Sequence, residues 1–294
     1  MTIRLLKTLV AVADTKTFSA AAEAVHVTHA AVSQQMRTLE DDLGLTLFDR
    51  SKRTPTLTAA GQQVVERARR LIADYDGLVD AVLSEDGLSG TFKLGVLRTT
   101  LTGLTPKAMA ILKTRFPEVG LHLRTGLTSA LLADLQRGDL DAAITSKPHL
   151  LPKGLAFHDL AHEPLELIAS PDEQHDDPLT LLANRPYIRF NRNAVVGTLI
   201  DNWIVSQGVD VHETMELDSP EAITSMVHAN LGVSILPRLA VPPAEAAPVK
   251  RLRLGPDAPE RVVGLAHAVP PLKAKAIQEV LSALTHVIGT AHDA

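Results

Sequence analysis

A chain of 294 residues is long for one domain, so two or three folded units are expected. Its composition, 45% hydrophobic and 21% charged, suits a globular protein in water. No run of about 18 apolar residues offers a membrane span, and with no cysteine in the chain disulfide and thiolate chemistry are excluded. Residues 1–18 mix charge into an apolar stretch and lack a small-residue cleavage site. They do not read as a signal peptide, and a cytoplasmic protein is expected. The net charge of −5 speaks against a general nucleic-acid binder. It is unevenly spread: residues 1–70 hold ten Lys and Arg against seven Asp and Glu, and the remainder is acidic. A mildly basic head on an acidic body suits a modular DNA-binding protein.

The first 60 residues read as short helices. Leu5, Leu6, Leu9, Val10 and Val12 form a helical apolar stripe. Ser19 to Val25 is a second, alanine-rich helix whose small residues allow close packing. Thr28 is the N-cap of a third helix that runs to Leu43 and is stopped by Gly44. Val32, Met36, Leu39 and Leu43 should face the core, which leaves His29, Ser33, Gln34 and Arg37 off that stripe. Leu45, Leu47 and Leu57 then alternate around a basic tip with Arg50, Lys52 and Arg53. That pattern is a hairpin or wing, either a solvated loop or a contact to phosphates or the minor groove. From Ala59 to Leu83, Val64, Leu71 and Leu78 recur every seven residues beside Ala68, Tyr75 and Val82, with Val65, Ile72 and Val79 widening the seam. Such a helix packs either on its twin in a dimer or on its own chain. Ser84 to Gly90 breaks the pattern as a linker.

Beyond residue 90 strands and helices alternate. Strands over 92–97, 119–125 and 140–145 are separated by helices over Pro106–Phe116 and Thr128–Gln136. This order predicts a doubly wound sheet. A second such unit has strands near 164–169, 187–190, 214–218 and 233–236, with helices near 196–206 and 220–229. The tail holds VVGLAHA and a helix over Leu272–Ile288. Two α/β units leave a cleft of the kind that takes small ligands.

The segment from Phe18 to Thr58 resembles the DNA-binding domain of the LysR-type transcriptional regulators. Matching residues include Phe18, Ala21, Ala22, Val27, Thr28, Ala31, Val32, Ser33, Leu39, Glu40, Leu43, Gly44, Leu47, Phe48, Arg50 and Leu57-Thr58, followed by Ala60-Gly61. Phe116-Pro117-Glu118-Val119, Gly138, Leu140-Asp141-Ala142-Ala143-Ile144 and Val227 to Pro237 extend the resemblance over essentially the whole chain. It implies an α+β multidomain protein: a winged helix-turn-helix (1–58), a dimerising linker helix (59–86) and a periplasmic-binding-protein-like effector domain (91–294). The latter divides into subdomain I (about 91–161 and 268–294) and subdomain II (about 162–267). The implied function is sequence-specific DNA-binding transcription regulation in answer to a small molecule, an amino or organic acid, with no cofactor. The implied partners are an operator duplex, the effector and further copies of the chain in a homodimer or homotetramer. RNA polymerase is a candidate beside them, and no membrane is involved.

On this resemblance the DNA-binding residues are Thr28, His29, Ala31, Ser33, Gln34 and Arg37, with Arg50, Lys52 and Arg53 on the wing. A helix fits the major groove, where Gln pairs with adenine N6 and N7 and Arg with guanine or phosphate. Members of the family often carry Gln-Pro where this chain has His29-Ala30, and Arg where it has Gln34, so the operator sequence stays open. The effector-binding residues are Arg98, Thr99, Thr100, Leu101, Thr128, Ser129, Thr145, Asn191, Arg192 and Thr198. Hydroxyls and helix N-terminal amides at such places suit a carboxylate, and Arg98, Arg189 or Arg192 would complete its charge pairing. Two other classes compete, a solute-binding protein and a small-molecule enzyme. No nucleophile elbow, P-loop, HExxH or GxGxxG turn supports the enzyme. His158 and His162 are four apart in a strand and turn region, so neither a catalytic nor a metal site is expected.

Overall fold

A computed structural model describes residues 1–51, 54–76 and 90–292. Two compact units result, one drawn mainly from residues 1–86 and the other comprising most of residues 87–294. Among the described residues no helix is long and apolar enough to cross a membrane.

In the N-terminal unit, α1 (Ile3–Thr15), α2 (Phe18–Ala24) and α3 (His29–Leu43) precede a short hairpin, β1 (Phe48–Asp49) with β2 (Thr56–Leu57), and then α4 (Ala59–Asp76). Both inner helices start on a threonine cap: Thr17 accepts from the Ala20 N–H and Thr28 from the Ala31 N–H, each at 3.2 Å. Helix α3 ends at Gly44, whose φ of +64° lies in the left-handed region that favours glycine. Leu6, Leu9, Val12, Val32, Met36, Leu39 and Leu47 are buried, and Phe18 meets Phe48 edge to face at 5.1 Å. The expected alternation fails at Leu45, which is 44% exposed because it follows Gly44 before the chain turns into the hairpin.

Helix α4 has two apolar faces with different fates. Val65 and Ala68 are buried and Val64 and Ile72 pack beside them in the unit's own core. Arg69 pairs with Asp14, and Lys7 with Asp76 at 2.8 Å, fastening α4 to α1. Leu71 and Tyr75 are left 49% and 53% exposed. Leu78, Val79, Val82 and residues 84–89 of the expected linker lie outside the described residues.

In the C-terminal unit, β3 (Thr91–Val96), α5 (Leu104–Arg115), β4 (Gly120–Thr125), α6 (Thr128–Arg137) and β5 (Ala142–Ser146) alternate strand and helix, with β3 parallel to both β4 and β5. One strand, β6 (Leu155–Ala169), then runs on into the second half. There it pairs with β9 (Ser234–Pro237) and β10 (Lys250–Arg253), both antiparallel. The second half also holds α7 (Pro178–Asn184), the parallel pair β7 (Tyr187–Phe190) and β8 (Glu213–Leu217), α8 (Val195–Gln207) and α9 (Pro220–His228). The chain returns along β11 (Glu260–Ala268), antiparallel to β5 and β6, and ends in α10 (Ala274–His292).

The division expected at 162–267 differs from this path. Residues Val263 to His267 pair with β5, so the VVGLAHA stretch belongs to the sheet of the first half. Val241 is also buried in the first core, among Leu94, Leu112, Leu265 and Leu284. The crossing strand was hidden because Pro164 and the polar His158, Asp159, His162 and Glu163 interrupt its apolar pattern. Proline is tolerated where a strand changes sheets, since no ladder hydrogen bond is required of its nitrogen. Neither α7 nor β10 was expected. The second core gathers Leu165, Leu167, Leu181, Ile188, Ile200, Trp203, Ile223 and Ile235.

Candidate nucleic-acid interface and ligand cavity

Helix α3 buries Val32, Met36 and Leu39 and turns the opposite face outward. Thr28, His29, Gln34 and Arg37 are exposed, while Ala31 and Ser33 are half-buried. The Thr28 hydroxyl is engaged as the helix cap, and the exposed His29 ring leans on Phe18 with centroids 6.2 Å apart. Gln35, the half-buried neighbour of Gln34, accepts from the Thr8 hydroxyl at 2.6 Å and holds α3 to α1. No intramolecular hydrogen bond or ion pair engages the Gln34 or Arg37 side chain among the described residues.

The hairpin is anchored to the same helix by Glu40. Its Oε1 accepts from the Leu47 and Phe48 N–H groups at 2.8 and 3.0 Å, and its Oε2 takes Arg50 at 2.7 Å. Arg50, expected as a free wing cation, is therefore partly committed to its own domain. Lys52 and Arg53 lie outside the described residues.

In the C-terminal unit a cavity of about 230 Å³ opens between the ends of β3, β5 and β7 and the starts of α6 and α8. Ten side chains were expected around a ligand there. Arg98, Thr99, Thr128 and Asn191 line the cavity, and the other six do not. The Thr100 hydroxyl donates to the Leu97 carbonyl and accepts from Thr105, both at 2.9 Å, in the interior. Leu101 packs on the first core, and the buried Thr145 hydroxyl sits on the other face of β5 from Ser146, without a partner among the described residues. Ser129 and Thr198 are exposed outside the lining. Arg192 turns to Glu213 and Glu216 at 2.9 and 3.0 Å. The Arg192 backbone N–H and then its guanidinium hold the Glu216 carboxyl below the usual range. Arg189 is likewise consumed by Asp201 and Glu213, which outweigh the effect of its burial and raise its pKa.

Two helices begin at the cavity. Thr128 starts α6, and its hydroxyl accepts from the Ser146 N–H at 3.2 Å. Val195 starts α8 after Ala194, which has no side-chain oxygen to cap the first amides. Gly197 is required in that first turn, because a Cβ there would stand 2.2 Å from the Asn191 carbonyl oxygen. Arg98 faces Asp218 at 3.5 Å, both more than half exposed. The residue that was missed is Arg261 on β11. It is 1% exposed, lines the cavity, pairs with Glu163 of β6 and donates to the Thr99 hydroxyl at 2.8 Å.

Residues 3–62 match the family described as bacterial regulatory helix-turn-helix protein, lysR family, and residues 85–288 match the LysR substrate binding domain. The chain is 30% identical over 276 residues to the DNA-binding transcriptional dual regulator OxyR of Escherichia coli K12, covering 91% of this chain and 89% of that one. It is 29% identical over 241 residues to the HTH-type transcriptional regulator CzcR of Bacillus cereus, covering 82% of each. Among solved structures, full-length OxyR of Pseudomonas aeruginosa with a cysteine-to-aspartate substitution superposes with a TM-score of 0.72 at 26% identity, over 97% of this chain and 94% of that one. A full-length CbnR in complex with target DNA shares the fold at a TM-score of 0.58 and 20% identity, over 99% and 100% of the two chains.

Proposed function

The chain belongs to the LysR family of DNA-binding transcription regulators, and from that premise we propose that α3 reads its operator while the cavity of the C-terminal unit receives the small molecule that controls it. The observation carrying the first part is the outward face of α3, where Gln34 and Arg37 stand exposed without a partner among the described residues. Ser33 and Ala31 flank them, Thr28 and His29 sit at the helix start, and Arg50, Lys52 and Arg53 supply phosphate contacts from the hairpin. A helix presenting an amide and a guanidinium at such spacing suits base edges in the major groove.

For the effector we infer an amino or organic acid. Support comes from Arg98, Thr99, Thr128 and Asn191 around the cavity and from two helix starts directed at it. Several relatives are named as hydrogen peroxide-inducible genes activators. This chain holds no cysteine, so neither a sulfenic acid nor a disulfide can form in it. A binding event in the cavity is then the favoured input.

Self-association into a homodimer or homotetramer is supported by Leu71 and Tyr75, large apolar side chains left bare on α4. A two-fold assembly presents two α3 helices to an interrupted, roughly palindromic site. A gel shift on the DNA upstream of the chain's own gene tests the reading. Specific retardation at moderate salt, weakened in Gln34→Ala and Arg37→Ala, is the expected result. No specific retardation, with or without amino and organic acids, would overturn it.

A further inference from the structure

Arg261 is an unusual side chain for a structural ion pair. Its Nε and one terminal nitrogen donate to Glu163 Oε2, and the other terminal nitrogen donates to the Thr99 hydroxyl. A guanidinium carries five N–H donors. Among the described residues one N–H on each terminal nitrogen is therefore left without an acceptor, in a residue 1% exposed that forms part of a cavity wall. A pair whose only task was to tie β11 to β6 would bury those donors against carbonyls. Arg261 is instead among the residues that line the cavity, and donors left dry and unpaired are costly.

The charge around the cavity sets what the space can hold. Arg98 with Asp218, and Arg261 with Glu163, sum to zero. The starts of α6 and α8 each add roughly half a unit of positive charge. The total is about one positive unit, which suits a single negative charge and disfavours a dianion. Glu163 itself is held by the Ala240 N–H at 2.9 Å as well as by Arg261, so it is not free to swing away.

We propose that Arg261 receives the carboxylate of a monoanionic effector through its two remaining N–H groups, with Thr99 and the first turns of α6 and α8 completing the cradle. This rests on the reading of the cavity as the effector site. Arg98, at the exposed edge with Asp218, is then a secondary contact. The same guanidinium bonds β6 through Glu163, so the strands crossing between the two halves feel the carboxylate directly.

The test uses the full chain and sodium acetate, followed by thermal unfolding at constant ionic strength against sodium chloride and acetamide. Acetate should raise the transition in a saturable way that neither control reproduces, and succinate dianion should do so less. In the double variant Glu163→Gln, Arg261→Met, which leaves no buried carboxylate unpaired, acetate affinity should fall about tenfold or more. Arg261→Lys, which keeps the charge in place, should retain part of the effect, and Arg98→Met most of it. Acetate acting no differently from chloride, or acting undiminished on the double variant, overturns the proposal. A gel shift on the same samples separates the outcomes: if DNA is bound while acetate has no effect, only the role of Arg261 falls. If DNA is not bound at all, the regulator reading falls with it.

Discussion

Glu40 of α3 and Arg50 of the hairpin are joined at 2.7 Å while the other Glu40 oxygen holds the Leu47 and Phe48 N–H groups. One carboxylate thus sets the position of the wing relative to the helix proposed to face DNA. Glu40→Ala should destabilise the N-terminal unit by about 1–3 kcal/mol, since two backbone donors lose their acceptor. It should also weaken DNA binding beyond what the stability loss explains. Chemical denaturation and fluorescence anisotropy on a duplex measure the two effects separately. Arg50→Ala should cost less affinity than an uncommitted cation would, and should flatten the salt dependence only partly.

Gln34→Ala and Arg37→Ala should leave the unfolding transition unchanged, because neither side chain is bonded to another among the described residues. Each should weaken specific DNA binding by about 1–3 kcal/mol if it pairs with a base edge. Anisotropy titrations with specific and scrambled duplexes decide between the roles. A loss on both duplexes alike assigns the side chain to phosphate.

Tyr187 is fully buried, and its hydroxyl has no hydrogen-bond partner among the described residues. Burial, ahead of the neighbouring charges, pushes its ionisation far above the ordinary value. Tyr187→Phe removes an unpaid desolvation cost and keeps the ring, so the transition should stay level or rise. A fall of about 1 kcal/mol or more would reveal a partner, such as bound water, for that hydroxyl.

Glu173 is held by the side chain and then the backbone N–H of His175, and further by Arg185, which lowers its pKa to about 2 from the ordinary 4.5. A carboxyl depressed on folding contributes stability that is complete above the unfolded value and is lost as the pH falls through the folded one. Wild type should therefore exceed Glu173→Gln in stability near neutral pH. The gap should close as the pH drops from 4.5 toward 2. A gap independent of pH in that window would place the effect in packing instead.

Leu71→Glu and Val65→Ala should fail differently. Leu71 is exposed, so a charge there should break self-association, seen by light scattering, with little change in the folding of the N-terminal unit. Val65 is buried against α1, and its truncation should lower stability while leaving the oligomeric state alone at temperatures below the transition.

Much of this was legible in the residues because periodicity reports burial directly. Val32, Met36 and Leu39 faced inward as their spacing demanded, and Thr28 capped α3. The cavity was harder. Arg192 sits beside Asn191 in the loop after β7, yet it bends to Glu213 and Glu216, and no local pattern distinguishes the two directions. Arg261 was invisible for a different reason. Its partner Glu163 lies 98 residues earlier, and only the antiparallel register of β6 and β11 brings them face to face. Thr145 and Ser146 show the limit from the other side: adjacent strand residues face opposite ways, so a hydroxyl one step out of phase misses the cavity.

Helix α10 places Ile277, Val280, Leu284 and Ile288 in the core of the half that begins at β3. Within the C-terminal unit, the half made first must therefore wait for the final stretch of synthesis before its sheet is covered. In a nascent chain stalled before α10, the apolar face of β3, β5 and β11 would be open to chaperones and proteases, while the second half, its core drawn from residues 165–258, already has its own covering. Within that unit assembly thus runs from the inside of the sequence outward, and a stop codon a few turns early would strike the sheet of β3, β5 and β11 hardest.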